Sequence, residues 1–484
     1  MPAKTHRGTL LALFFLAAPL LAKPLNVLVF FADDLGQRDI TCYHPESFYE
    51  TPHINRLAEQ GVRFTQGYSV NPVCSPTRYA LMTGRWPTRA GLTNYLYGVR
   101  EETFAGAPLT RELPATDTTV AEVLRPASYQ TTFVGKWHLG ETPPRDWPEH
   151  HGFATNIGGH RVGHPPSWFS PYKNPRLKDG PKGEFLTTRL AKETIGALKS
   201  AQSSGKSFFI CHSFYQVHTP LIAPDALVAK YREKRRKLGL KDQFGDETQY
   251  FISTKEPRKV RLNQAHAVYA AMIESMDSAV GEILGTLDEL GLAENTLVIF
   301  SADNGGLSTA EGSPTSNLPF RAGKGWVYEG GIRVPYIVRW PGKPAGRSID
   351  TPVTTLDIMP TILDAAGLEA PGPLDGLSLA PVLRGETLPA RDLFWHYPHY
   401  ANQGGFPGGA IRSGDHKLIE NYEDGSISLY DLVRDPGERQ DLAKEKPELA
   451  KELRAKLHAW YRSTGARFLT ARPGGPAAWQ PPAP

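Results

Sequence analysis

The sequence predicts an α/β protein: a large, mostly parallel, doubly wound sheet flanked by helices, followed by a small C-terminal antiparallel sheet domain with one helix. Continuous apolar runs of strand length, Asn26 to Phe31, Thr131 to Val134, Ser207 to Phe214 and Leu297 to Phe300, read as strands buried on both faces. Helical periods separate them, and strand after helix after strand implies parallel pairing through right-handed crossovers. Beyond Pro371 the pattern changes to short alternating strands and hairpin signals such as Asp424-Gly425, closed by a helix from Pro447 to Arg462. A chain of 484 residues has room for both units.

Residues 1–22 read as a signal peptide, with Lys4 and Arg7 in a basic region, an apolar stretch from Leu10 to Leu21 and a cleavage site at Ala22. The stretch is shorter than the roughly 18 residues a membrane span needs, and no later segment suits a span. Export to the periplasm or the extracellular space is therefore expected. The division that follows is residues 23–375 for the main unit, 376–465 for the small domain and 466–484 for a Pro-rich, disordered tail.

The first strand ends in Ala32-Asp33-Asp34-Leu35-Gly36, so two carboxylates leave the sheet together. Thr51 to Ile54 opens a helix with Leu57 and Ala58 inward and Gly61 as its stop, and Val62 to Tyr68 leads on to Asn71. Asp117 to Leu124 forms another short helix, and the strand Thr131 to Val134 runs into Gly135-Lys136-Trp137-His138. Residues 141–183, rich in Pro, Gly, His and Trp without a period, read as a long surface loop over the sheet edge, where specificity tends to reside. Thr187 to Leu198 is an amphipathic helix, and the strand after it leads to Val217-His218-Thr219. The basic run Lys230 to Lys237 reads as a solvated helix face or, less simply, as a contact for an anionic polymer. Leu262 to Leu290 carries the clearest helical period, with Gly291 at its end, and feeds the strand that finishes in Asp303-Asn304. Phe320 to Gly325 reads as a flexible loop, Val334 to Arg339 as a further strand, and Leu356 to Ala366 as a helix that Pro360 kinks or tolerates.

Fifty-four basic against fifty acidic side chains leave a net charge of +4, which gives no reason to expect a nucleic-acid partner. Any attraction for anions must be local. Cys42, Cys74 and Cys211 are too few for a disulfide framework, and a Cys42 to Cys211 bridge is open but unsupported.

Ligands of an open parallel sheet bind outside the carboxyl ends of its strands. Four strands here end in Asp33 and Asp34, Lys136 and His138, His218, and Asp303 and Asn304. Each group alone reads more simply as a turn or a satisfied surface or core residue. Their gathering on one edge is what a chance set of turns does not supply. Asp33, Asp34, Asp303 and Asn304 offer only oxygen, which suits a hard divalent cation, Ca2+ first and Mg2+ next, and argues against zinc. In Asn71 to Arg85, Ser75 suits an N-cap and Pro76 the first helical position, so Cys74 is expected just ahead of a helix N-terminus. Unpaired N–H groups there, with Arg78 a turn away, would lower the thiol pKa and attract an anion. The bland alternative is a small buried hydrophobe in a Pro-rich turn.

Cys74-Ser75-Pro76-Thr77-Arg78, with Thr83-Gly84-Arg85 behind it, resembles the signature of the formylglycine-dependent (type I) sulfatases, arylsulfatase-like members of the alkaline-phosphatase-like superfamily. The resemblance implies that a maturation enzyme oxidises Cys74 to formylglycine, whose hydrated aldehyde attacks the sulfur of a sulfate ester. It makes Asp33, Asp34, Asp303, Asn304 and residue 74 the metal ligands, and residues 23–375 the catalytic unit. Lys136 and His138 would contact the hydrate and the sulfate, while His218 and Lys324 would approach the bridging oxygen. Arg78, Lys136 and Lys324 would then stabilise charge on the nonbridging oxygens, and a protonated His218 the leaving oxygen. The alternatives are a phosphate or phosphonate monoesterase on the same fold and a noncatalytic sulfoglycan-binding protein. The latter would have lost Cys74, Arg78 or His218, and all are present. For substrate, export and the aromatic stretch Phe394 to Tyr400 favour a sulfated carbohydrate, interdomain packing being the other reading of that stretch.

Overall fold

The computed structural model describes residues 24–247 and 257–482, so the signal-peptide segment lies outside the described residues. The main sheet has eight strands in the order Arg347–Ile349, Val62–Phe64, Tyr336–Arg339, Thr296–Ala302, Asn26–Ala32, Phe208–Ser213, Gln130–Gly135, Thr155–Ile157. Asn26–Ala32 lies between parallel neighbours, with Ala32 level with Ala302 and Phe31 level with Ser213. Gly135 is also level with Ser213. Because these registers end together, the residues that follow each strand emerge side by side on one edge. Tyr336–Arg339 alone runs antiparallel to its two neighbours.

Alternate residues of the first strand feed two cores, as a doubly wound sheet requires. Leu28 and Phe30 pack under the helix Ala267–Glu289, and Val27, Val29 and Phe31 pack with Tyr79, Leu81 and Met82 of the helix Cys74–Thr83. The long helix starts five residues later than its period suggests, because His266 accepts a bond from the Tyr269 N–H and Arg258–Arg261 is a strand. The short helix likewise starts at Val120, where Thr119 and Glu122 form a capping box. Pro360 falls in the first turn of Ile358–Ala366 and so costs no hydrogen bond. Among the described residues no helix is long and apolar enough to cross a membrane.

Several expectations need correction. Residues 141–183 supply the edge strand Thr155–Ile157 and bury Phe153, Trp168 and Tyr172, so the segment is partly core. Its aromatic residues fill separate gaps and therefore show no period. Phe320 to Gly325 is packed rather than flexible: a Cβ on Gly323 would collide with the Gly306 carbonyl, so this glycine serves close approach. Trp395, His396, Tyr397, His399 and Tyr400 are buried, and Phe394 stacks on Trp460 at 4.9 Å, so that stretch is packing and offers no sugar platform. The tail is not free either, since Trp479 stacks on Tyr422 at 5.8 Å. All three cysteines are unpaired. On the helix Asp225–Lys237, Lys230 and Lys234 pair with Glu50, Arg235 with Asp242 and Arg236 with Glu233, which is the solvated-face reading.

The small sheet is a meander of Leu393–Tyr397, Gly408–Ser413, His416–Asn421 and Ile427–Asp431, covered by the helix Pro447–Thr464. A buried ion cluster joins it to the main unit: Lys417, with no exposed side-chain surface, lies 3.1 Å from Glu329 and 2.8 Å from Glu438. Removing the ammonium would leave buried Glu438 without its cation and Glu329 with Arg333 as its remaining ion-pair partner. Lys417→Met is therefore expected to lower unfolding stability by about 3–5 kcal/mol, read as a drop in the denaturation midpoint.

Candidate active site

The helix Cys74–Thr83 is buried along its whole length and ends at Gly84, whose φ of 62° suits glycine. It begins two residues earlier than expected. Val73 is the N-cap and makes no side-chain bond, while the Ser75 hydroxyl donates to the His138 carbonyl at 2.9 Å. Cys74 is thus the first helical residue, and its Sγ lies 3.2 Å from His138 Nδ1. Burial pushes the thiol pKa up, against the pull of Lys136, which reverses the lowered pKa expected from the helix terminus.

Arg78 has the same origin but points into the acid cluster. Its Nε and Nη2 donate to Asp303 Oδ2 at 3.0 and 2.7 Å, and its Nη1 donates to the Lys136 carbonyl and the Ser213 hydroxyl. With those nitrogens engaged, Arg78 fixes Asp303 and contributes charge from behind the site. Lys136, fully buried, holds Asp33 at 2.7 Å, and Lys324 holds Asp34 at 2.7 Å. Burial alone would lower the Lys324 pKa, but the carboxylates around it, Asp34 first and then Glu311, together outweigh it and drive the value up. Burial would raise the Asp34 pKa, but the neighbouring ammonium groups, Lys324 foremost and Lys136 with it, hold it low.

Asp33, Asp34, Asp303 and Asn304 form one buried group. The Asp34 N–H donates to Asp303 Oδ1 at 3.1 Å, and Asn304 Nδ2 donates to Asp34 Oδ1 at 3.0 Å. Among the described residues Asp33 Oδ1 and Asn304 Oδ1 are buried oxygens without a hydrogen-bond donor. Such atoms are rare in folded proteins and call for a missing partner. Two orphaned oxygens within an all-oxygen set fit a hard cation. Asp34 and His138 take left-handed φ of 59° and 57°, a strain of roughly 1–3 kcal/mol each that packing must hold in place.

His218 Nδ1 sits 2.5 Å from the Thr219 carbonyl, which can only accept, so Nδ1 carries the proton and Nε2 faces Asp34 at 3.8 Å. This places His218 beside Asp33 and Asp34, with ligand atoms of all three within 4.8 Å of one another. Burial, with Lys136 second for His138 and Lys324 second for His218, pushes both imidazoles well below the ordinary value.

Cys74, His138, His218 and Lys324 open into one pocket of about 320 Å³. Every residue expected at the site from the strand ends and the Cys74 helix is therefore in or directly behind it. Tyr95, Tyr97, Glu311, Asn402 and Gln403, which also line the pocket, had no signal in the sequence. Arg161 and His164 lie in the loop whose position over the sheet edge suggested a specificity role.

A mostly parallel sheet thus presents a buried acid cluster, three cations and a helix-borne residue 74 at one edge, an arrangement suited to chemistry on an anionic ester. Residues 25–368 match the Sulfatase family, and residues 322–463 match the family described as N-sulphoglucosamine sulphohydrolase, C-terminal. The chain is 31% identical to a sulfatase of Formosa agariphila over 90% of this chain and 88% of that protein. Arylsulfatase A of Homo sapiens is also 31% identical, with 90% and 86% covered. Among solved structures, Ps i-CgsB in complex with k-i-k-neocarrahexaose superposes with a TM-score of 0.72 at 26% identity, covering 90% of this chain and 93% of that one. The chain belongs to the type I sulfatase family and is a sulfuric ester hydrolase.

Proposed function

We propose that this sulfatase is exported and releases inorganic sulfate from a sulfated carbohydrate, with residue 74 as formylglycine and a calcium ion, or magnesium in its place, held by Asp33, Asp34, Asp303, Asn304 and residue 74. The observation that carries the proposal is that Cys74 and Lys324 line one pocket while the acid cluster Lys324 holds through Asp34 keeps two donorless buried oxygens, Asp33 Oδ1 and Asn304 Oδ1. When present, the formylglycine hydrate supplies the attacking oxygen and the cation supplies positive charge for the sulfate. We assign residues 23–375 to the catalytic unit and 376–465 to the small domain.

The chain's own groups have separable tasks. Lys136 and Lys324 counter the carboxylates and face the developing charge on the sulfuryl oxygens. His138 Nδ1, against Cys74 Sγ, orients residue 74 and accepts or returns its proton. Arg78 keeps Asp303 in place. His218 is neutral in the free pocket, and an arriving sulfate monoanion favours its charged form, so that Nε2 delivers a proton to the leaving oxygen.

The carbohydrate assignment is supported by Tyr95 and Tyr97, whose rings suit stacking on sugars, beside the amides of Asn402 and Gln403, which suit hydroxyls. Ps i-CgsB, the solved relative, holds a saccharide. Sulfate release from a panel of defined sulfated saccharides, set against aryl and steryl sulfates, tests it. Efficient turnover of the steryl ester alone would refute it.

Chelation is expected to remove at least about nine-tenths of the activity and to lower the melting temperature, because a ligand bound only by the folded state stabilises it. Calcium or magnesium should restore both. Stoichiometric zinc bound through His and Cys would overturn the ligand set.

A further inference from the structure

The pocket wall is a closed ring. Asn402 Nδ2 donates to the Tyr95 hydroxyl at 2.6 Å, and the next residue, Gln403, donates through Nε2 to Glu311 Oε1 at 2.7 Å. The other oxygen of Glu311 accepts from the Thr219 hydroxyl at 2.8 Å, which carries the wall to His218. The His218 ring stacks on His164 at 6.3 Å and 13°. Gly163 then passes so near His138 that a Cβ there would lie 2.7 Å from Cε1. His138 stacks on Tyr97 at 6.5 Å and 28°, two residues from the starting point. The ring is also anchored, since the Gln403 carbonyl accepts from the Thr309 hydroxyl at 2.8 Å and from Trp326 Nε1 at 3.1 Å.

We infer that the enzyme acts at chain ends: the pocket takes a sulfated terminal ring of a saccharide and rejects a sulfated ring whose chain continues on both sides. This rests on the carbohydrate reading above. A polymer bound through an internal ring needs a groove with two exits, and a wall closed through six segments leaves one mouth. The nucleophile position lies at the bottom, Cys74 being 2% exposed. The volume of about 320 Å³ is at the small end of the roughly 300–1,000 Å³ usual for ligand pockets, so little beyond one ring enters. Stretches of the wall held by single side-chain hydrogen bonds, Tyr95 to Asn402 and Glu311 to Gln403, are where the ring can be opened.

The test uses metal-loaded, formylglycine-bearing protein and two trisaccharides of the best sugar in the panel, one sulfated on its non-reducing terminal ring and one at the same position of its middle ring. The terminal sulfate should be released with a kcat/KM at least about 100-fold higher, as expected when the wrong substrate meets a steric wall. Release from the middle ring within tenfold of the terminal rate overturns the inference and leaves the carbohydrate reading intact. Hydrolysis of 4-nitrophenyl sulfate with no release from any saccharide overturns both. Opening the wall with Asn402→Gly and Glu311→Ala should shrink the terminal-to-middle ratio by tenfold or more. A soluble, folded double variant with an unchanged ratio would show that the wall does not select.

Discussion

Cys74→Ala will abolish sulfate release, by about 10⁵-fold or more, and leave the thermal transition nearly where it was. Loss of a nucleophile costs turnover on this scale because the remaining groups act only through it. The fold should survive, since the thiol faces the pocket and His138 and supports no layer of the core. The corresponding measurement on the unsubstituted protein is the mass of the peptide around residue 74. Made alongside a maturation enzyme, that peptide should be roughly 18 Da lighter than the thiol form, as exchange of thiol for aldehyde requires. A fully active protein with an intact thiol would sink the assignment.

His218→Ala should cost an alkyl sulfate about 10²- to 10⁴-fold and a nitrophenyl sulfate far less, because only the alkoxide needs a proton to depart. The structure favours His218 over Lys324 for this task. Lys324 is bound to Asp34 at 2.7 Å and its proton is held more tightly than usual, whereas burial weakens the hold of His218 on a proton, so that once an arriving sulfate has charged it the imidazolium gives the proton up readily. Lys324→Ala should therefore slow both substrates alike, as loss of a charge that serves the sulfuryl group. Equal losses for both substrates in His218→Ala would mean that His218 positions sulfate, and the proton would have to come from Lys324 or a bound water.

What could be read without coordinates was whatever local pattern dictates. Apolar runs such as Val27 to Phe31 mark buried strands, and the polar residues at their ends, Asp33, Lys136, His218 and Asp303, had to converge once the strands were parallel and level. Burial at a distance was hidden. The helix terminus under Cys74 pointed to a lowered thiol pKa, but desolvation by the rest of the protein wins. The helix start was misplaced because Val73 caps without a capping side chain, leaving Ser75 and Pro76 as the visible signals. Tyr95, Glu311 and Asn402 belong to loops far apart in the chain and without period, and only the tertiary structure makes them neighbours. Trp479 looked idle in a Pro-rich tail because its partner, Tyr422, lies in a different element.

The complete burial of Cys74–Thr83 also sets a timetable. An enzyme that recognises Cys74 to Arg78 as a peptide needs those residues extended and accessible, yet in the native state every one of them is enclosed and Arg78 is tied to Asp303. On the proposed maturation, conversion of residue 74 would belong to the life of the nascent, unfolded chain. Folding would close the opportunity, and a molecule that folded first would keep its thiol. The fraction of active protein in a preparation would then be decided by a race between maturation and collapse of the sheet around this helix, before the catalytic pocket exists.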